Sequence, residues 1–228
     1  MRLTQVIRFP EKLLSNVHRG TAFEKRALSL LTEHMSMSLT RVGGSNDGGV
    51  DLIGWWWVPG EWGLANRRRL RVLAQCKAEK RKMGPGYLRE LEGVVYRHAA
   101  PASDLASGDL PHHDDAPAPA EPPPIALLVS ESAFTRGCLL AANASPLPSL
   151  LVHLPPNGGP GSGGGAVGAI FGNAALVSAR GVLRGELEIL WEHGVPFVGN
   201  GRPRLWWQGR PLPSWTPDNA NADATLLT

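Results

Sequence analysis

Apolar residues recur at three- and four-residue spacing at Phe23, Ala27, Leu30 and Leu31, the period of a helix that buries one stripe. Thr21 stands where a cap would, with Glu24 three residues on as in a capping box, so the helix is expected to begin there. The pattern then changes. Ser38 to Val42 is strand-like, and the cluster Gly43-Gly44-Ser45-Asn46-Asp47-Gly48-Gly49 is a turn, with Asp47 expected to bond backbone amides of the glycine loop. Val50 to Val58, rich in Val, Ile and Trp and closed by Pro59-Gly60, predicts a strand. A basic hairpin arm leads to a second strand, Leu70 to Lys77. After Gly84-Pro85-Gly86, the spacing of Leu88, Leu91 and Val95 predicts a helix over 87–98.

Beyond this point apolar runs are short and separated by unusual composition. Ile125 to Ser130 predicts a buried strand, Phe134 to Asn143 a helix, Leu150 to Leu154 a strand, Asn173 to Arg180 a helix and Glu186 to Trp191 a strand. Residues 99–124 are dominated by Pro, Ala, Asp and His, too poor in apolar surface to order themselves. Residues 156–166 are nearly pure glycine and proline, the composition of a flexible loop. The expected organisation is an N-terminal segment (1–19), one α/β domain (20–216) with two disordered insertions, and an unfolded tail (217–228).

Composition narrows the class without deciding it. Cys76 and Cys138 lie far apart in unlike settings, which argues against a disulfide framework or a cysteine zinc site. No run of eighteen apolar residues exists, so no membrane span is expected. The formal charge of +3 conceals a concentration of basic residues: Arg67, Arg68, Arg69, Arg71, Lys77, Lys80, Arg81 and Lys82 face Glu79 alone between Asn66 and Lys82. Clustered cations suit a polyanion such as DNA, because each phosphate contact releases counterions. On charge alone, a solvated surface run is an equal reading. The first nineteen residues pair Arg2, Arg8, Lys12 and Arg19 with apolar positions, a weak mitochondrial targeting pattern that Pro10 interrupts; an ordinary packed segment is the other reading.

Chemistry concentrates at one place. Hydrolysis of a phosphodiester needs a divalent cation held by oxygen ligands and a group that orients the attacking water. Asp51 follows the glycine turn at the start of a strand. On the next strand Gln75 and Lys77 are two apart and leave the same face, with Cys76 on the other. Asp51, the Gln75 amide oxygen and Glu24 from the first helix are the candidate ligands for Mg²⁺ or Mn²⁺. Lys77 is the candidate for positioning water and stabilising phosphorane charge. Each residue alone also has a plain role: a turn aspartate, a helix-capping glutamate, one lysine among many.

In combination, the motifs Gly20-Thr21-Ala22-Phe23-Glu24, Gly43 to Leu52 and Gln75-Cys76-Lys77 resemble the Mrr-like branch of the PD-(D/E)XK nucleases. Arg89-Glu90-Leu91-Glu92-Gly93 is similar to that branch's following helix, and Ser130 to Thr135 to its later strand-to-helix step. The Gly43-to-Leu52 run with Gly54-Trp55-Trp56, and the tryptophan-rich C-terminal part with Asn173-Ala174-Ala175, resemble more closely a fungal mitochondrial family required for respiratory growth. The resemblance implies a restriction-endonuclease-like core with a mixed central sheet flanked by helices, and a mitochondrial setting. It implies Asp51 as central ligand, Gln75 where an acid is usual, Lys77 as catalytic lysine and Glu24 as helix-borne carboxylate.

The expected function is metal-dependent DNA endonuclease activity in mitochondrial genome maintenance. The alternative is a catalytically inactive DNA-binding or scaffold protein of the same setting. Arg67, Arg68, Arg69, Lys80, Arg81 and Lys82 are the expected DNA contacts, and a homodimer is compatible with cutting two strands. Eight tryptophans can stack on unpaired bases, but core packing is their expected role, with Trp55 and Trp57 on one strand face and Trp56 on the other. His112-His113 beside Asp114-Asp115 is read as incidental to its linker.

Overall fold

The structure, a computed structural model, describes residues 16–42, 48–60, 63–99, 122–156, 167–192 and 201–217. The elements run α1 (Asn16–Met35), β1 (Met37–Arg41), β2 (Leu52–Gly60), β3 (Gly63–Lys77), α2 (Pro85–Ala99), β4 (Ile125–Ser130), α3 (Arg136–Ala144), β5 (Ser149–His153), β6 (Ala169–Gly172), α4 (Ala174–Val177), β7 (Leu187–Glu192), β8 (Arg202–Trp207) and β9 (Arg210–Pro211). Strands β1 to β6 form one mixed sheet in chain order, and β7 to β9 a smaller antiparallel one.

The apolar pattern explains the layers. β1, β2 and β3 form an antiparallel meander; β3, β4 and β5 are parallel, and α2 and α3 supply the crossovers that parallel pairing requires. β4, at the centre, is buried at every residue from Ile125 to Ser130, as a strand covered on both faces should be. On one face α1 sets Phe23, Ala27, Leu30 and Leu31 against Leu52, Trp56, Val72 and Leu127. The small sheet completes that face through Leu187, Leu205 and Trp207, which join the same cluster. On the other face α2 and α3 bury Leu88, Leu91, Val95 and Cys138 against Leu73, Leu128 and Leu151. Both cysteines are free.

Several expectations need correction. α1 begins by Asn16, so Thr21 and Glu24 are a mid-helix pair one turn apart rather than a capping box. Both serve Arg41 at the end of β1: its guanidinium donates to Thr21 Oγ1 (3.4 Å) and is ion-paired to Glu24. β2 begins at Leu52 and reaches Gly60, and β3 begins at Gly63 rather than Leu70, so the basic arm is its first half, laddered onto β2. β6, β8 and β9 were not expected, so one flank of the main sheet is partly a second sheet rather than helices alone. α4 stops at Val177 instead of Arg180. α2 retains Ala99, and residues 100–121, 157–166 and 218–228, where most of the two insertions and the tail fall, lie outside the described residues, as do Gly43 to Asp47 and His112 to Asp115. No helix among the described residues is long and apolar enough to cross a membrane.

Candidate nucleic-acid and metal site

The polar residues of interest meet where the β2–β3 ladder ends and β3 begins to run beside β4. Gly48 and Gly49 enter with φ of 65° and 90°, a region open to glycine, and a Cβ on Gly49 would lie 2.9 Å from Val94. The turn delivers Asp51 with its backbone fixed on both sides. Its carbonyl accepts from Val42 N–H (2.9 Å), and its N–H donates to Ala74 O (2.9 Å). Its Oδ2 accepts from Cys76 N–H at 2.6 Å. The two bonds to β3 therefore straddle Gln75.

Gln75 and Lys77 leave β3 toward α2, and Cys76 toward the α1 side, as their spacing predicts. There both meet a residue that sequence reasoning did not assign: Glu90 of α2. Its Oε1 accepts from Gln75 Nε2 (3.1 Å) and from Lys77 Nζ (3.4 Å). Glu90 is half-exposed, whereas Gln75 is only 3% exposed, and Gln75 Oε1 has no hydrogen-bond partner. Because the carboxylate attracts the amide N–H, the amide oxygen is turned the other way. A buried carbonyl left unbonded costs about 1–3 kcal/mol, which a native fold rarely tolerates without use. Tyr87 stands one turn before Glu90, its ring 5.7 Å from Lys77 Nζ and 5.8 Å from the Arg81 guanidinium. The pair Tyr87 and Glu90, three apart on one helix face, was the available sequence signal.

Glu24 lies on the opposite side. Its carboxylate belongs to Arg41, yet it is near Asp51: the charges of both carboxylates reach Cys76, and Asp51 also acts on Arg41. Burial pushes the Cys76 thiol well up, and the two carboxylates push it further, so it stays a neutral thiol. Among the described residues no three His, Cys, Asp or Glu side chains converge to hold a metal. The oxygen donors on either side of this point of β3 are the Asp51 carboxylate, bonded to Cys76 N–H, and the unbonded Gln75 amide oxygen. This all-oxygen set with an orphaned buried amide oxygen fits a hard divalent cation.

The basic stretch divides. Arg67 donates to Trp57 O (3.5 Å) and lies over the Trp215 ring (5.5 Å), and burial lowers its pKa. Arg68 donates to Val182 O (3.1 Å). Both thus tie the hairpin to the C-terminal part. Arg69 and Arg71 are exposed and stack on Trp55, at 4.3 and 5.2 Å. Lys80, Arg81 and Lys82 are exposed beyond β3, and Arg81 and Lys82 line an open cleft of about 330 Å³ with Gly84, Gly86, Tyr87 and Glu90. Of the tryptophans, Trp56 and Trp207 are core residues, and Trp57 packs edge-on against Trp215 with its N–H on Ser38 Oγ (2.7 Å).

Residues 15–68 and 63–107 match the family model described as "Required for respiratory growth protein 7". That stretch carries α1 to α2, and so Glu24, Asp51, Gln75, Lys77 and Glu90. Over 83 residues the chain is 38% identical to an uncharacterized mitochondrial protein of Schizosaccharomyces pombe, an alignment covering 36% of this chain and 31% of the relative. The chain thus matches about a third of that relative's length. No solved structure matches. The matched model describes a protein required for respiratory growth and the matched relative is named as mitochondrial, in line with the mitochondrial location expected from the sequence.

Proposed function

We propose that the chain is a metal-dependent DNA endonuclease of the PD-(D/E)XK type, with a restriction-endonuclease-like core, acting in mitochondrial genome maintenance. The observation that carries this reading is Gln75 Oε1, buried and unbonded, framed by the two bonds from Asp51 to β3. Asp51 and Gln75 would hold Mg²⁺ or Mn²⁺, and Glu24 is the second carboxylate, in competition with Arg41. A cation bound there supplies Lewis-acid activation of water and of the phosphate oxygens. Lys77 Nζ meets the charge that develops on the phosphate, where a fixed cation in a partly desolvated site acts most strongly. Glu90 is a positioning residue: it holds the Lys77 ammonium and turns the Gln75 amide so that its oxygen is presented.

A second reading, a DNA-binding or scaffold protein without turnover, is favoured by one observation. Glu24 is engaged by Arg41, and the amide at position 75 adds no charge, so the site offers less negative charge to a metal than two free carboxylates would. The two readings part in one experiment: purified protein with plasmid and single-stranded DNA in Mg²⁺, Mn²⁺ or EDTA, beside Asp51→Ala and Lys77→Ala. The nuclease reading expects metal-dependent cutting that falls at least ~10²-fold in either variant while Lys77→Ala still binds DNA. Cutting that persists in both variants would refute the site. Salt-sensitive binding with no cutting would establish the second reading.

A further inference from the structure

The face of β3 that carries Gln75 and Lys77 continues outward through Leu73, Arg71, Arg69 and Arg67, since alternate residues share a face. Their partners across the ladder are Ile53 for Leu73, Trp55 for Arg71, Trp57 for Arg69 and Pro59 for Arg67. α2 covers this face around Leu73 and Ile53. Farther out, arginine planes and indole rings interleave. The guanidiniums of Arg69 and Arg71 lie over Trp55, Trp57 meets Trp215 edge-on at 5.7 Å, and Arg67 lies over Trp215. The C-terminal segment is fastened there by Trp215 N–H to Ser36 Oγ (3.0 Å). Among the described residues neither Arg69 nor Arg71 is in a salt bridge. Both guanidiniums lie over the one Trp55 ring, and both residues are exposed.

We infer that this arginine–tryptophan ladder on the β2–β3 hairpin is a docking track for an unpaired nucleic-acid strand that leads toward the site at Gln75 and Lys77. The inference rests on the nucleic-acid reading of that site and names its substrate as DNA with a single-stranded segment. Charge complementarity selects a polyanion: exposed, uncompensated arginines without a carboxylate partner take phosphates. Stacked planes select unpaired bases, because base faces become available to aromatic rings and guanidiniums only outside a duplex. At about 3.4 Å per residue, Arg71 is roughly 14 Å from Gln75 along the strand, and Arg69 roughly 27 Å from Lys77. A bound strand therefore has to span a few nucleotides to reach from track to site.

The test is binding of the full chain to a fluorescent oligonucleotide, single-stranded or duplex, in EDTA so that nothing is cut, across a range of salt. The parent is expected to prefer the single strand. Arg69→Gln with Arg71→Gln should weaken that binding at least tenfold and lower the salt slope by about 1.4, the value for two phosphates of a single strand. Arg69→Lys with Arg71→Lys, which keeps the charge and loses the planar stack, should keep the slope and lose the preference for single strands. An unchanged slope in the glutamine variant, with its melting curve that of the parent, overturns the ladder. Tighter binding of the duplex by the parent also overturns it. Because EDTA silences cutting, the two proposals fail separately. A chain that binds single strands through the ladder but never cuts refutes only the nuclease; one that cuts while the ladder variants bind normally refutes only the track.

Discussion

The two halves of β3 present one face to the same side of the sheet and do so in opposite ways. The outer half pairs only with β2 and shows Arg67, Arg69 and Arg71, each resting on an indole. The inner half also pairs with β4 and shows Gln75 and Lys77, shielded by α2. Between them Leu73, 1% exposed, plugs the face against α2. In the outer half the arginines rest on aromatic surface and keep their charge in water. In the inner half water is largely excluded, so polar atoms need specific partners, and one of them, Gln75 Oε1, has none. Alternation along a strand decides which residues face which side, but neighbouring strands and helices decide what each exposure costs.

The plug is the strongest lever on this contrast. Leu73→Ala should destabilise the fold by about 2–5 kcal/mol in urea unfolding, because it empties a buried site beneath α2. DNA binding and cutting should then decline together, unlike the selective losses expected from Lys77→Ala and from the ladder variants. A stability loss under about 1 kcal/mol would show that the halves are not joined through this contact. A finer lever is Arg41→Ala, which releases Glu24. Arg41 is exposed but the Glu24 side chain is only 14% exposed, so loss of its partner should lower the melting temperature slightly without metal, while calorimetric Mn²⁺ affinity should rise several-fold as the Glu24 carboxylate is released. Unchanged or weaker affinity would remove Glu24 from the ligand set.

How much of this was legible depends on how far local pattern controls each element. α2, β4, α3 and β5 were readable within one or two residues, since each carries an apolar stripe or run long enough to show its period. β6 was not: four residues ending in Gly172 have no period, and pairing with β5 makes the strand. β8 was hidden by Pro203, which argues against a strand. The structure resolves this, because β9 reaches only Trp206 and Trp207, so Pro203 faces no ladder on that side. Thr21 and Glu24 mimicked a cap because residues three apart also share a helix face, here turned toward Arg41. At the site, the opposed faces of Gln75 and Cys76 followed from alternation. For Glu90 the only local signal was its three-residue spacing from Tyr87, because its role comes from the docking of α2 over β3. Asn173 was noticed only as part of a motif; it proves to cap α4 and to donate to Ala142 O (2.9 Å) and Leu147 O (2.8 Å), joining the end of α3 to β5.

The central claim is that the unbonded amide of Gln75 and the carboxylate of Asp51 form a cation site. Titration of Mn²⁺ into the parent, Asp51→Asn and Gln75→Leu, with thermal melts in parallel, tests it most directly. The account predicts one saturable site in the parent and a loss of at least tenfold in affinity in both variants. Gln75→Leu should also melt at or above the parent temperature, since it removes an unsatisfied buried oxygen. Equal Mn²⁺ affinity in all three proteins would contradict it.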